Sequence, residues 1–405
     1  MNIDEKVKYL MQGTEYGDQH MAHAMAIELK DRLIEAEQSG RPLKIYCGYD
    51  PRTTDLHIGH TVTMRKLRQF QELGHEVTFV IGTYTSLIGD PSDKDKLRPQ
   101  LTPDEVLENA RTYAEQAYRV LDREKTIIRY NAEWLSQLSF ADLIKLASNF
   151  TIQQFLTREN FRIRWDNNEP IHLHELFYSL MQGYDAHVLE TDVQVGGTDQ
   201  LFNIMTASRK IMSYYGQKPN IGIILDILPG TDGEVKMSKS LGNHIPLNTT
   251  PEDMFGKVMS IPDKAMPKYA KLATSWQTDT VNEFCEALNK GSIHPRDAKM
   301  KLAFEIVSIF YSQKGSEEAK MHFITLFQKG DIPENIPTYE LDQPKLLLDI
   351  LVDVGLIDSK NQGRRLIEQN GIKFNGVIVA DFNAEVNAKG LIQVGKRKFL
   401  RVLKG

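Results

Sequence analysis

"LKIYCGYDPRTTDLHIGH", residues 43–60, decides the fold. Its first half is a short apolar run entering a glycine turn, the pattern of a buried strand. Its second half sets His57 and His60 three residues apart around Gly59. "HTVTMRKLRQFQEL" (60–73) follows with helical spacing and stops at Gly74. Strand, turn and helix therefore come in that order. At a helix start, His57 and His60 share a face. The free N–H groups and the dipole of such a start attract anions. Gly59 lets a ligand approach the backbone. The turn reads as a phosphate site, although an isolated H-x-G-H also suits two surface histidines at a helix cap.

The pattern continues on both sides. Residues 17–38 read as a helix that stops at "SGRP". "EVTFVIGTYT" (76–85) and "KTIIRY" (125–130) read as strands. Between them Thr102, Pro103 and Glu105 form an N-cap, a helix-starting proline and a capping box. Residues 140–157 and 171–189 are expected to be helices, and "TDVQVGG" (191–197) and "NIGIILDIL" (220–228) strands. Strands alternating with helices predict a parallel sheet covered on both faces. Residues 251–327 read as mainly helical. A Pro-rich acidic stretch with Pro333, Pro337 and Pro344 reads as a semi-rigid linker. Two short helices and several strands close the chain. The expected domains are 1–245, a helical 246–330, a linker 331–343 and a small 344–405.

The chain has 405 residues, 41% hydrophobic and 25% charged, in the range of soluble globular proteins. The net charge of −5 is unevenly spread. From Pro344 onward there are 11 Lys and Arg against 6 Asp and Glu. The remainder carries 38 against 48. A basic tail on an acidic body suggests a polyanion partner for the tail. Cys47 and Cys285 have no paired spacing, so neither a disulfide framework nor a zinc site is implied. No apolar h-region opens the chain, and no run spans a bilayer, so a cytoplasmic location is expected.

A second motif, "KMSKS" (236–240), follows the strand 220–228, framed by Gly230, Gly233 and Gly242. Two lysines on a glycine-flanked loop suit an electrostatic clamp on a polyphosphate. Together the two motifs, in this order on an α/β pattern, resemble the signature of class I aminoacyl-tRNA synthetases. That resemblance implies a Rossmann-like doubly wound parallel sheet, then a helical domain and a small C-terminal α+β RNA-binding domain. A small-molecule nucleotidyltransferase shares such a turn and loop, but lacks reason for the basic tail.

Between the motifs, Tyr178, Gln182 and Asp185 fall at i, i+4 and i+7, so one helix face carries a phenol, an amide and a carboxylate. Asp90 is expected at a strand end near a topological switch point. "VGGTDQ" (195–200) ends another strand with Gly196 and Gly197. These stretches extend the resemblance to the bacterial tyrosyl-tRNA synthetases. It implies Tyr46 and Asp185 as the grip on a substrate phenol. Asp90, Tyr178 and Gln182 would hold the α-ammonium, and Gln200 the carboxylate side. Asp199 with Gly197 would meet the ribose, and Cys47, Gly48 and Asp50 the adenosine. Gly59, Lys236, Met237, Ser238, Lys239 and Ser240 would meet ATP, and His57, His60, Lys236 and Lys239 would serve catalysis. His60 itself favours tyrosine, because the tryptophan relatives usually end that motif in Asn.

Two positions depart from the family pattern, Arg52 and Asp93, and Lys94 and Arg98 lie in the same expected phosphate region. The tail resembles a small RNA-binding module shared with a small-subunit ribosomal protein, with Arg364 and Arg365 on its basic helix. The implied reaction joins L-tyrosine to ATP, with Mg²⁺ on the phosphates and no protein-bound metal, and then to tRNA(Tyr). A homodimer and no membrane partner are implied.

Overall fold

Apolar runs become the strands of one parallel sheet. The computed structural model describes residues 1–51, 55–92, 101–325, 336–341, 343–395 and 398–404. Arg52, Asp93, Lys94, Arg98 and residues 331–335 and 342 of the expected linker lie outside the described residues. The sheet holds β1 (Lys44–Tyr49), β2 (Glu76–Ile81), β3 (Thr126–Tyr130), β4 (Val193–Gly197) and β5 (Ile221–Leu225) in the order β3-β2-β1-β4-β5. Every pairing is parallel. Parallel strands are covered on both faces, which is why β5 reads as an unbroken apolar run and is buried throughout.

The chain builds outward from β1 to β3, then returns to add β4 and β5 on the other side. The switch therefore lies between β1 and β4. Their carboxyl ends carry Gly48 to Asp50 and Gly196 to Gln200. Ligands of open α/β sheets bind outside the strand ends at such a switch.

Two expectations need correction. Residues 140–157 form not one helix but two, Phe140–Ala147 and Ile152–Leu156. Thr151 starts the second with its own capping box to Gln154, and that local bonding outcompetes continuation. Asp90 does not sit at a strand end. The strand stops at Ile81, and Asp90 follows the short helical turn Thr85–Leu87. At Gly82 a Cβ would lie 2.1 Å from the Asp50 carboxylate, so a side chain there would displace Asp50.

The chain divides into two units, Met1–Glu317 and Glu318–Gly405. Helices Pro251–Met259, Met266–Ala273 and Thr278–Asn289 follow the sheet, and then the helical stretch Pro295–Ile324, which is broken by a kink at Ser312. The second unit holds β6 (Thr338–Leu341), β7 (Lys345–Leu346), β8 (Ile372–Phe374), β9 (Val377–Ile378), β10 (Glu385–Val386), β11 (Gly390–Val394) and β12 (Lys398–Lys404). Five of them order as β6-β12-β11-β8-β9, and β10 pairs with β7. The core of this unit includes Leu348, Ile350, Ile367, Ile392 and Leu400. Gly363 lets helix Lys360–Glu368 close on it, since a Cβ there would lie 2.5 Å from Leu348.

Candidate active site

A cavity of about 660 Å³ opens at the switch. Its walls are the ends of β1 and β4, the start of helix Ile58–Glu72, the helix Leu173–Val188 and the loop after β5. Every residue assigned from the sequence to catalysis, ATP or tyrosine lines it. Arg364 and Arg365 lie in the second unit, exposed on helix Lys360–Glu368.

One end is buried and closely bonded. Asp185 accepts from Trp134 Nε1 at 2.7 Å and from Asn131 Nδ2 at 3.3 Å. Burial pushes its pKa up to about 8, against the pull of those two donors. Tyr46 is buried beside it and donates to the Gln182 carbonyl oxygen at 3.1 Å. Burial, with the Asp185 charge, holds the Tyr46 phenol protonated. Tyr178 donates to Asp50 Oδ2 at 3.0 Å, while Thr85 donates to Asp50 Oδ1 at 2.7 Å. Asp50, assigned to the nucleotide, and Tyr178, assigned to the amino acid, are thus one bonded pair. Gln200 Nε2 donates to Asp90 Oδ2.

The other end is built from the two motifs. His57 is the N-cap of its helix, and its N–H donates to His60 Nδ1 at 3.2 Å. A neutral His60 must then carry its proton on Nε2. Burial, with Lys236 nearby, pushes His60 down to about 4. Burial and the neighbouring His60 and His244 push His57 well below the usual range. Both rings are neutral at pH 7. A Cβ on residue 59 would lie 2.9 Å from His57 Nδ1 and 3.5 Å from Met237 Cβ, so only glycine lets the ring lie there undisturbed.

The lysines face carboxylates. Lys236 pairs with Asp199 at 2.7 Å and Lys239 with Asp55 at 2.9 Å. Asn243 organises their loop: its Oδ1 accepts from the Ser238 N–H at 2.8 Å, and its Nδ2 donates to Asp232 at 2.5 Å. Two backbone bonds tie the loop's exit to the histidine turn. Ile58 N–H donates to Ile245 O at 3.0 Å and Leu247 N–H to Leu56 O at 2.9 Å. The arrangement can hold a phenol and an amine at one end and a polyanion at the other.

Sequence reasoning missed Asn131, Trp134, Thr85, Asn243 and Asp55. Asn131 had a signal, a polar residue immediately after a strand of the same sheet. Asn243 directly follows the lysine motif and its glycine. Trp134, Thr85 and Asp55 act only through contacts distant in sequence.

The family described as class I tRNA synthetases for tryptophan and tyrosine matches residues 38–328. A tyrosine–tRNA ligase C-terminal domain family matches residues 328–402. The chain is 44% identical over 380 residues to the tyrosine–tRNA ligase of Thermotoga maritima, covering 93% of this chain and 94% of that one. It is 41% identical over 403 residues to tyrosine–tRNA ligase 2 of Clostridium acetobutylicum, covering 99% of each. Among solved structures, tyrosyl-tRNA synthetase from Archaeoglobus fulgidus, complexed with L-tyrosine, superposes with a TM-score of 0.60 at 23% identity. It covers 79% of this chain and 100% of that one. At that identity the likeness speaks for the fold.

Proposed function

The chain belongs to the class I tRNA synthetases for tryptophan and tyrosine, and from that premise we propose how its cavity performs tyrosine–tRNA ligation. The activity is the joining of L-tyrosine to ATP, giving tyrosyl-adenylate and pyrophosphate, and then of tyrosine to the terminal adenosine of tRNA(Tyr). The observation that supports the assignment of residues is the meeting of both motifs and the polar helix face on one cavity.

In this reading the substrate phenol lies between Tyr46 and Asp185. Asp90, Tyr178 and Gln182 hold the α-ammonium, and Gln200 faces the carboxylate. The adenosine and ribose meet Cys47, Gly48, Asp50, Gly197 and Asp199. The phosphates meet Gly59, the two histidines, and the loop from Lys236 to Ser240. Magnesium enters on the phosphates as part of the substrate.

The tyrosine carboxylate is ionised at neutral pH, so it attacks the α-phosphorus without a general base. Pyrophosphate leaves in line. Catalysis is then positioning plus stabilisation of charge on the leaving oxygens. Neutral His60 donates from Nε2, and Lys236 and Lys239 leave their carboxylates for the phosphates. A terminal ribose hydroxyl of the tRNA next attacks the adenylate carbonyl, and AMP leaves.

Arg364 and Arg365 contact tRNA phosphates from the basic tail. A homodimer fits the exposed apolar side chains Phe140, Ile144, Ile152 and Trp165 on the first unit. No described helix is long and apolar enough to cross a membrane, and the cytoplasm is the proposed location.

Exchange of labelled pyrophosphate into ATP tests the reading. Tyrosine supports exchange, and phenylalanine and tryptophan do not. Exchange supported equally by all three would refute the assignment of the phenol site.

A further inference from the structure

Arg158 is a buried cation that the reaction as described does not use. It is 7% exposed and forms no ion pair with a described carboxylate. Its guanidinium lies over the rings of Phe161 and Phe202, with centroids at 4.9 Å and 5.4 Å. Such a group is costly to bury unless its donors are satisfied. Its two forks go to two serines. Nη2 donates to Ser92 Oγ at 2.6 Å and Nη1 to Ser179 Oγ at 3.0 Å.

Both paths end on Asp90. Ser92 N–H donates to Asp90 Oδ1 at 2.9 Å. Ser179 Oγ donates to Asn203 Oδ1 at 2.7 Å, and Asn203 Nδ2 donates to Gln200 Oε1 at 3.0 Å. Gln200 Nε2 then donates to Asp90 Oδ2. One guanidinium therefore orients the donors to both oxygens of one carboxylate. Ser179 and Asn203 are fully buried, so these links have no water alternative. Burial lowers the pKa of Arg158, and the charge of Asp90 leads the opposing influences.

We propose that Arg158 is a positioning residue for tyrosine, acting through Asp90 to aim its carboxylate at the substrate α-ammonium. The proposal rests on the reading that Asp90 holds that ammonium. A planar fork holds two fixed acceptors in one preset geometry, which the rotatable ammonium of a lysine does less well. Arg158 is too deep to touch the substrate itself, so its effect falls on tyrosine binding and not on the phosphate chemistry.

The test compares tyrosine with 3-(4-hydroxyphenyl)propionate, which keeps the phenol and carboxylate and lacks the ammonium. Arg158→Gln, Arg158→Lys and Asp90→Asn are assayed by pyrophosphate exchange, with the analogue as competitor. Arg158→Gln raises the tyrosine KM about tenfold to a hundredfold, the range for a charge-assisted hydrogen bond. The ATP KM stays unchanged, the inhibition constant of the analogue, which keeps of this network only the carboxylate contact at Gln200, rises far less than the tyrosine KM, and Arg158→Lys recovers part of the loss.

Equal loss of tyrosine and analogue would overturn the proposal, since a deformed pocket affects both. An unchanged tyrosine KM in Arg158→Gln, with a raised one in Asp90→Asn, would overturn it and leave the ammonium reading intact. An unchanged KM in Asp90→Asn would overturn the ammonium reading and the proposal with it. Should Arg158→Gln fail to fold, Ser92→Ala removes one acceptor. It should raise the tyrosine KM about threefold to tenfold, and no rise would count against the proposal.

Discussion

The two ends of the cavity are built differently. At the tyrosine end, Tyr46, Tyr178 and Asp185 are buried and bonded to neighbours on rigid elements. At the phosphate end, the lysine side chains are 40% and 48% exposed and rest on Asp199 and Asp55. Exposed ion pairs of this kind are worth about 0–1 kcal/mol. They can be exchanged for substrate phosphates at little cost. On the proposed reading, selectivity lies where nothing needs to move, and charge stabilisation lies on a loop that can trade partners.

The largest break in that division comes from His60→Ala. Removing a fixed neutral donor from the phosphate end should slow adenylate formation about 10²–10³-fold. Single-turnover formation of tyrosyl-adenylate measures it. The rate of the unmutated protein should also show no His60 limb between pH 6 and 7, because burial pushes His60 down to about 4. A limb in that window would make His60 cationic and contradict the tautomer inferred from its bond to the His57 N–H.

Asp185→Ala comes next and acts at the other end. Phenylalanine denies the buried Asp185 carboxyl the partner that the substrate hydroxyl would supply, and the alanine variant removes that penalty. The preference for tyrosine over phenylalanine in kcat/KM should fall about a hundredfold. Preserved selectivity would separate Asp185 from phenol recognition.

Much of this division was legible in the chain. Strands β1, β2, β4 and β5 were readable because burial on both faces makes their sequences apolar. The two motifs were readable because each is a contiguous group of residues with its own glycines. The Tyr178, Gln182 and Asp185 face was readable from helical period alone. The break at Ser148 to Thr151 was hidden inside an amphipathic pattern, where a capping box competes with helix continuation. Asp90 was misplaced because the strand ends early, at Ile81, and Gly82 beyond it makes room for Asp50. The ion pairs Lys236–Asp199 and Lys239–Asp55 join residues far apart in sequence, and no local signal encodes them. The same holds for Arg158, whose role depends on a tertiary bond network.

A smaller effect sharpens the tyrosine end. The Asp185 pKa is raised from 3.8 to about 8 in the folded protein. A raised folded pKa stabilises fully below the unfolded value, and that contribution is lost as pH rises toward 8. The native protein should therefore lose stability between pH 5 and 8, by at most about 1.4 kcal/mol per pH unit. Asp185→Asn should lack this slope. Urea midpoints across that range measure both proteins, and parallel curves would show that Asp185 is ionised throughout.

Lys239→Ala tests the division between the ends most directly. Stopped-flow adenylate formation, titrated with tyrosine at saturating ATP, yields the rate and the tyrosine Kd together. The rate should fall about a hundredfold or more while the Kd stays within about twofold. Equal losses in rate and tyrosine affinity would contradict the account, because the two ends would then be one site.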